Sequence, residues 1–314
     1  MVLIVSEAYD KTTDLVIEWL DSLGTNFIRC LPNHLSCIEI ELSSGGDSKI
    51  KINNEFVKII WVQRGKLNFI PQEIDKSNFI NYLKKEEVPV LKYCEEILVE
   101  KGIVVGSFIE EIYNNKILNL KIAEECGMKI PHSVITNEKE KIINFLNSKK
   151  KIITKSIYHP PNISLTPTKK IKGKGTVVVT AKQISSMSDD SFPSFVQEYI
   201  EKLFEIRVFI FMEKIFAMAI FSQADDKTTI DYRNYNREKP NRYVPFNLPD
   251  KEKIKIKRFM NRKKMNSGSI DLIYNNKKEY VFLEINPQGQ FNWVSEYCNF
   301  YIEKEIAECL SNIN

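Results

Sequence analysis

The stretch that decides the fold is Ser269-Ile-Asp-Leu-Ile-Tyr274, a short polar turn, and then Tyr280-Val-Phe-Leu-Glu-Ile-Asn-Pro-Gln-Gly-Gln-Phe-Asn-Trp293. Apolar and β-branched residues alternate with polar ones on both sides of Asn275-Asn-Lys-Lys278, the pattern of two strands joined by a turn. Side chains two apart on a strand share a face, so Glu284 and Asn286 point the same way. Asp271, on the paired strand, can point there too. Two carboxylates and an amide oxygen converging on one spot make an oxygen-only cation site, suited to Mg²⁺ holding nucleotide phosphates. The alternative is a hairpin with a solvated polar face. Against it stands the setting of Glu284 among Phe282, Leu283 and Ile285, where a carboxylate needs a partner and a metal is one.

Upstream, Phe195–Ile200, Phe204–Phe211 and Ile215–Gln223 read as an antiparallel meander. Ile171–Val179 reads as a glycine-containing hairpin turn followed by a strand, with Gly173 and Gly175 able to let backbone amides approach a phosphate. Asn115–Gly127, with Lys116 at its start, and Glu138–Leu146 carry helical stripes; Ser133–Thr136 and Lys151–Ser156 read as strands, and Phe108–Ile112 as a connection. Residues 73–101 show helical patterns rich in Lys and Glu. The N-terminal region is of another kind. Val2–Ser6, a helix over Thr12–Leu23 stopped by Gly24, and Phe27–Cys30 form a β-α-β opening without the GxGxxG of a dinucleotide site. Strands follow at Ile38–Leu42, Ile50–Ile52 and Val57–Val62. Trp61-Val-Gln-Arg64 ends the last of them and suits either ligand contact or capping of the sheet.

A chain of 314 residues exceeds what one compact core needs and predicts two or three subdomains, with a boundary near 100–115. Composition is ordinary for a soluble globular protein, with 43% hydrophobic and 27% charged residues. No apolar run reaches the roughly 18 residues of a membrane span. The start, Met1–Ser6, lacks the basic region of a signal peptide, so a cytoplasmic location is expected. The six cysteines form no CxxC pair and read as free thiols; His34, His132 and His159 are too far apart in sequence to predict a zinc site. Net charge is +4, and the basic run Lys251–Arg258, continued by Arg262–Lys264, reads as a solvated helix face, because the aromatic interleaving of a nucleic-acid surface is missing.

In order, the chain offers Lys116 opening a helix, Lys155 ending a strand, a glycine turn, Gln197-Glu-Tyr-Ile200, Glu205-x-Arg207, Arg233 in a polar loop, and Asp271…Glu284-x-Asn286. This series resembles the ATP-grasp superfamily, over roughly residues 100–314. The fold class that the resemblance implies is α/β plus α+β: an N-terminal doubly wound pre-grasp domain (1–105), a central subdomain with a phosphate-lid hairpin (106–195) and a C-terminal subdomain with a metal site (196–314). It implies that Lys116 and Lys155 hold the phosphates of ATP, that Gln197, Glu198, Tyr199 and Ile200 form the hinge meeting adenine, and that Glu205 meets the ribose. Asp271, Glu284 and Asn286 are then the Mg²⁺ ligands.

Within that superfamily, Glu284–Trp293 and Val196–Ile200 resemble the ribosomal-protein glutamate ligases and, more closely, the peptide maturases that make microviridins and related graspetides. Trp61-x-x-Arg64 and Asp231-Tyr-Arg233 resemble elements of those maturases, with Val62 and Gln63 as departures. The loop Asn234–Pro249 is similar to the grasp-with-spasm branch. The resemblance implies an ATP-dependent ligase that phosphorylates Asp or Glu side chains of a ribosomally made precursor peptide, leader plus core, and closes ester or amide rings. Arg207 is expected to stabilise the developing charge or else to form a cross-strand ion pair with a carboxylate, Arg233 to stabilise that charge or else to lie in a solvated loop, and Asp231 either to accept a proton or to orient Arg233. Arg237, Lys239 and Arg242 are candidates to receive an acidic precursor. A SPASM-domain partner and a homodimer belong to the same expectation; nucleic acid and membrane do not. The rival is a ligase with the same ATP site that adds an amino acid or amine to a small molecule or protein tail. An idle peptide-binding module would have no need of the two lysines and three oxygen donors.

Overall fold

The computed structural model describes residues 1–312 apart from 43, 45–48, 58, 72–77, 101–103, 159–161, 165, 167, 168, 174, 189 and 235. His159, Lys174 and part of the expected boundary near 100–115 lie outside the described residues.

The first region contains β1 (Val2–Val5), α1 (Lys11–Ser22), β2 (Phe27–Cys30), β3 (Ile38–Glu41), β4 (Lys49–Ile52), β5 (Glu55–Phe56), β6 (Ile59–Val62), α2 (Asn78–Glu100) and β7 (Val104–Val105). β2-β1-β6-β7 is a parallel sheet, while β3-β4-β5 is a small antiparallel one beside it. All four residues of β1 and of β6 are buried, as expected of parallel strands covered on both faces. One face, with Leu3, Val5 and Ile60, packs under α2. The other, with Val2, Ile4 and Trp61, joins the core of the C-terminal region.

Phe108–Ile112 departs from the expected connection. It is a short helix, α3, because Ser107 caps it through a bond from the Glu110 amide while Glu95 accepts from the Phe108 and Ile109 amides. Next come α4 (Lys116–Glu125), capped by Asn115 as its sequence suggests, β8 (Ser133–Thr136), α5 (Lys139–Lys149) and β9 (Ile152–Thr154). Then follow β10 (Asn162–Ser164), β11 (Lys170–Lys172), β12 (Val177–Val179), α6 (Ala181–Ser185) and β13 (Ser194–Glu198). The order β12-β9-β13-β8 makes an antiparallel sheet with α5 and α6 over one face. The glycines are not in a hairpin turn. The hairpin is β10–β11, and Gly173 and Gly175 lie in the crossing from β11 to β12, which belongs to the other sheet.

The last region holds β14 (Lys202–Phe211), β15 (Lys214–Phe221), β16 (Arg242–Pro245), α7 (Asp250–Arg262), β17 (Ser267–Asn275), β18 (Tyr280–Asn286), α8 (Asn292–Cys298) and α9 (Ile302–Asn312). Its antiparallel sheet runs β16-β15-β14-β17-β18. Ile206, Val208 and Ile210 of β14 face α4 and α7, whereas Phe209 and Phe211 face α8, α9 and the first region. The two-residue period of β14 therefore places Glu205 and Arg207 on the side that the first region covers.

Candidate functional site

The site is set by a bulge. β17 and β18 pair Ser269 with Asn286 and Asp271 with Glu284, and then Leu272 with Phe282, so Leu283 is the extra residue. Phe282 and Ile285, three apart, both reach the α7-side core. Uninterrupted alternation would give Phe282 and Glu284 the same face. The bulge turns Glu284 over to Asp271's side, a common use of bulges beside functional sites.

Around this pair the charges are dense. Glu284 lies 3.6 Å from Lys116, 4.0 Å from Lys155 and 3.5 Å from Arg233. Arg207 sits opposite Asp271 on β14, and its Nη1 donates to both Asp271 oxygens at 3.1 Å. Burial alone would raise the Glu284 pKa, but Lys155, Lys116 and Arg233 outweigh it and hold the carboxyl low. Burial pushes Asp271 up, and Arg207 offsets this only in part. Burial also lowers the Lys155 ammonium, with the Glu284 charge opposing.

Asp271, Glu284 and Asn286 stand together as the sequence places them. Asn286 donates to Asp271 Oδ2 at 3.4 Å. Among the described residues no three His, Cys, Asp or Glu side chains make a full metal cage. Two carboxylates and an amide oxygen match a cation that takes few protein ligands and completes its shell with phosphate and water, as Mg²⁺ does.

A cavity opens from this cluster toward the central sheet, and its walls include Lys155, Tyr199, Glu205, Arg233, Asp271 and Glu284. Gln197, Glu198 and Ile200 also line it. The Gln197 side chain donates to Ser133, and the Glu198 carboxylate accepts from the His132 amide and pairs with Lys149. Those side chains are thus held within the central region. Glu205 is at the cavity, but its oxygens already bind Lys202 and Ser222. Lys202 is buried and also donates to the Ile230 carbonyl at 3.1 Å. Nothing in the sequence singles it out, because a lysine two residues past a hinge looks solvated until its carboxylate partner is placed.

Asp231 is occupied by its neighbour. Its Oδ1 accepts from Arg233 Nε and its Oδ2 from Arg233 Nη2, both at 2.8 Å. Burial would raise this carboxyl, but the bonds and charge of Arg233 keep it below its ordinary value. Such a group is a poor base and a good orienter. Gly175 approaches the same pair: a Cβ there would fall 2.9 Å from Asp231 Oδ2.

Other expected contacts lie elsewhere. Trp61 is fully buried in the core, deeper than the half-buried cap on the sheet that one reading gives it, while Arg64 is on the surface 3.5 Å from Glu7. The basic run on α7 is paired with acids, Lys255 with Glu252, Lys257 with Glu213 and Arg262 with Glu125. Lys239 donates to the Ala224 carbonyl at 2.7 Å and Arg242 lies over Phe221. No helix among the described residues is long and apolar enough to cross a membrane.

The model of the RimK-like ATP-grasp domain matches residues 113–310. No curated protein matches the chain in sequence. The macrocyclase MdnC of Microcystis aeruginosa MRC, solved with the precursor peptide MdnA, is similar at a TM-score of 0.79 and 26% identity, covering 100% of both chains. A RiPP-associated ATP-grasp ligase of Chryseobacterium gregarium, solved with ADP and a leader and core peptide, matches at 0.79 and 22% identity, over 99% of this chain and 95% of its own. The ATP-grasp ligase PsnB, solved with a minimal precursor variant, Mg and ADP, matches at 0.73 and 16% identity, over 98% of this chain and 97% of its own. The last two likenesses concern the fold.

Proposed function

The chain belongs to the RimK-like ATP-grasp family, and from that premise we propose that it is an ATP-dependent ligase that activates Asp or Glu side chains of a precursor peptide and closes ester or amide rings. The observation that carries the reading is the cluster on the bulged hairpin. Four cations, Lys116, Lys155, Arg207 and Arg233, surround the Asp271–Glu284 pair, and Lys155, Arg233, Asp271 and Glu284 line one cavity. The likeness to MdnC, whose structure holds a precursor peptide, supports the peptide as substrate.

In the reaction proposed, an oxygen of the peptide carboxylate attacks the γ-phosphorus of ATP, ADP departs, and an acyl phosphate forms. A hydroxyl or amine of the same peptide then attacks the acyl carbon, phosphate leaves, and the nucleophile gives up its proton. Lys116 and Lys155 act as point charges on the phosphates. A Mg²⁺ held by Asp271, Glu284 and Asn286 supplies further positive charge there when bound. Arg233, aimed by Asp231, and Arg207 face the charge that develops in transfer. Gln197–Ile200 and Glu205 serve the nucleoside end; burial raises the Glu205 carboxyl, and Lys202 beside it offsets this only in part. The divisions 1–105, 106–195 and 196–314, a SPASM-domain partner and a homodimer are part of the same reading, supported by sequence resemblance, and a cytoplasmic location is proposed with them.

Mass spectrometry of a candidate precursor after incubation with enzyme, ATP and Mg²⁺ tests it. Loss of one water per ring, absent with Glu284→Ala, is expected. A gain of one amino-acid residue would replace this reading with that of a ligase that adds amino acids.

A further inference from the structure

The loop Pro287–Phe291, which leaves β18 for α8, carries a residue that the proposed reaction has not used. The Gln288 side chain clasps the backbone of Gly65 in the first region. Its Oε1 accepts from the Gly65 amide at 2.7 Å and its Nε2 donates to the Gly65 carbonyl at 2.9 Å. The same Nε2 lies 3.4 Å from the Ser107 carbonyl. An amide side chain is matched in this way to the N–H and C=O of a single residue; a carboxylate would face the Gly65 and Ser107 carbonyl oxygens. Gly65 is a firm anchor. Its φ is +101°, and a Cβ there would fall 2.7 Å from Pro32 Cγ.

The neighbouring loop residues are tied to the same region. Gln63 donates to the Gly289 carbonyl at 3.4 Å, and Gln290 donates to Asp10 at 3.3 Å. On its other side the loop lies against Arg207. Arg207 Nη2 donates to the Gln290 carbonyl at 3.4 Å, and a Cβ on Gly289 would collide with the Ser269 side chain and fall 2.9 Å from Arg207 Nη2. Arg207 Nε is buried and has no partner among the described residues. The guanidinium is therefore placed by Asp271 on one edge and by this loop on the other.

We propose that Gln288 is a positioning residue for Arg207: by clasping Gly65 it fixes the loop, and the loop fixes the guanidinium. The first region thus takes part in the chemistry without touching substrate. The inference rests on the proposed role of Arg207, and its test has one arm that does not.

The first arm is ring formation by wild type, Gln288→Ala, Arg207→Lys and the double variant. Gln288→Ala should lower kcat about 10- to 100-fold, the scale of a misplaced catalytic group, with ATP affinity and Tm close to wild type. In the Arg207→Lys background the same change should cost about twofold or less, because residues that act through one another are not additive. Full multiplication of the two losses, or an unchanged kcat in Gln288→Ala, would overturn the proposal. The second arm needs no peptide. Arginine Nε–H exchange is followed by NMR, with the Arg207 signal assigned by its loss in Arg207→Lys. Exchange at Arg207 should be slow in wild type and about tenfold faster in Gln288→Ala, since two hydrogen bonds that hold the loop are gone. Unchanged exchange would overturn the proposal even if no ring forms. Should Gln288→Ala fail to fold, Gln63→Ala should shift exchange the same way by a smaller factor, and no shift there would count against it.

Discussion

Two pairings of tryptophan and arginine occupy very different places in this molecule. Trp61 and Arg64 end a strand of the parallel sheet; Arg207 lies 5.9 Å from the ring of Trp293 beside the bulged hairpin. In the first, the tryptophan is fully buried and the arginine is 43% exposed, 3.5 Å from Glu7. In the second the arginine is the buried member, 8% exposed, and its carboxylate partner is 11% exposed. Residue type is shared, but the dielectric setting is reversed. An exposed ion pair contributes about 0–1 kcal/mol. A buried one costs several kcal/mol to desolvate, and removing one partner leaves an uncompensated charge. A fold keeps such a pair where something other than stability is gained, which is why the chemistry is assigned to Arg207 and not to Arg64.

Breaking each pair on its acidic side is the strongest way to test that contrast. Asp271→Asn should destabilise the protein by about 3 kcal/mol in urea unfolding, the low end for a buried pair broken at one partner. Glu7→Gln should cost less than about 0.5 kcal/mol. Similar losses would mean that the two arginines differ in exposure but not in energetic role.

The contrast also shows what the sequence could carry. Period-two alternation puts Glu284 and Asn286 on one face of their strand, because local pattern controls which face a side chain takes, but it is the bulge that turns this face toward Asp271. The bulge at Leu283 was not legible. It depends on the register of β17 against β18, and Leu283 reads as one more core residue. The crossing from β11 to β12 reads as a turn in sequence because Gly173 and Gly175 satisfy local turn chemistry equally well, and only strand pairing separates the two. Lys202 and Gln288 were missed for a related reason. Their partners, Glu205 with the Ile230 carbonyl and the Gly65 backbone, are fixed by tertiary structure.

An intermediate case sharpens the scale. Arg233 is 51% exposed while Asp231 is 7% exposed. A carboxyl held below its ordinary value stabilises the fold above its unfolded pKa, near 3.8, and that contribution is lost as pH falls through the lower folded value. Wild type should therefore exceed Asp231→Asn in stability at pH 7 by about 1 kcal/mol, discounted for the solvent around Arg233. The gap should close as the solution is acidified below about pH 3.8, a trend that thermal unfolding across the range would show. A gap that persists in acid would assign the loss to packing and remove this pair from the electrostatic series.

The smallest effect concerns the ground on which the two regions are alike. Cys94 lies in the core under the parallel sheet and Cys298 in the core shared with the C-terminal sheet, and burial pushes both thiols up to about 11. At pH 8 only about one in a thousand of either would be thiolate, the form that reacts. Iodoacetamide at that pH should therefore label the exposed Cys37 quickly and leave Cys94 and Cys298 intact in peptide maps until the protein is unfolded. Equal protection is what two closed cores require. If Cys298 were labelled while Cys94 stayed protected, the C-terminal core would be the one that opens, and the burial of Arg207 would then be a matter of time average, with the clasp at Gln288 holding a moving part.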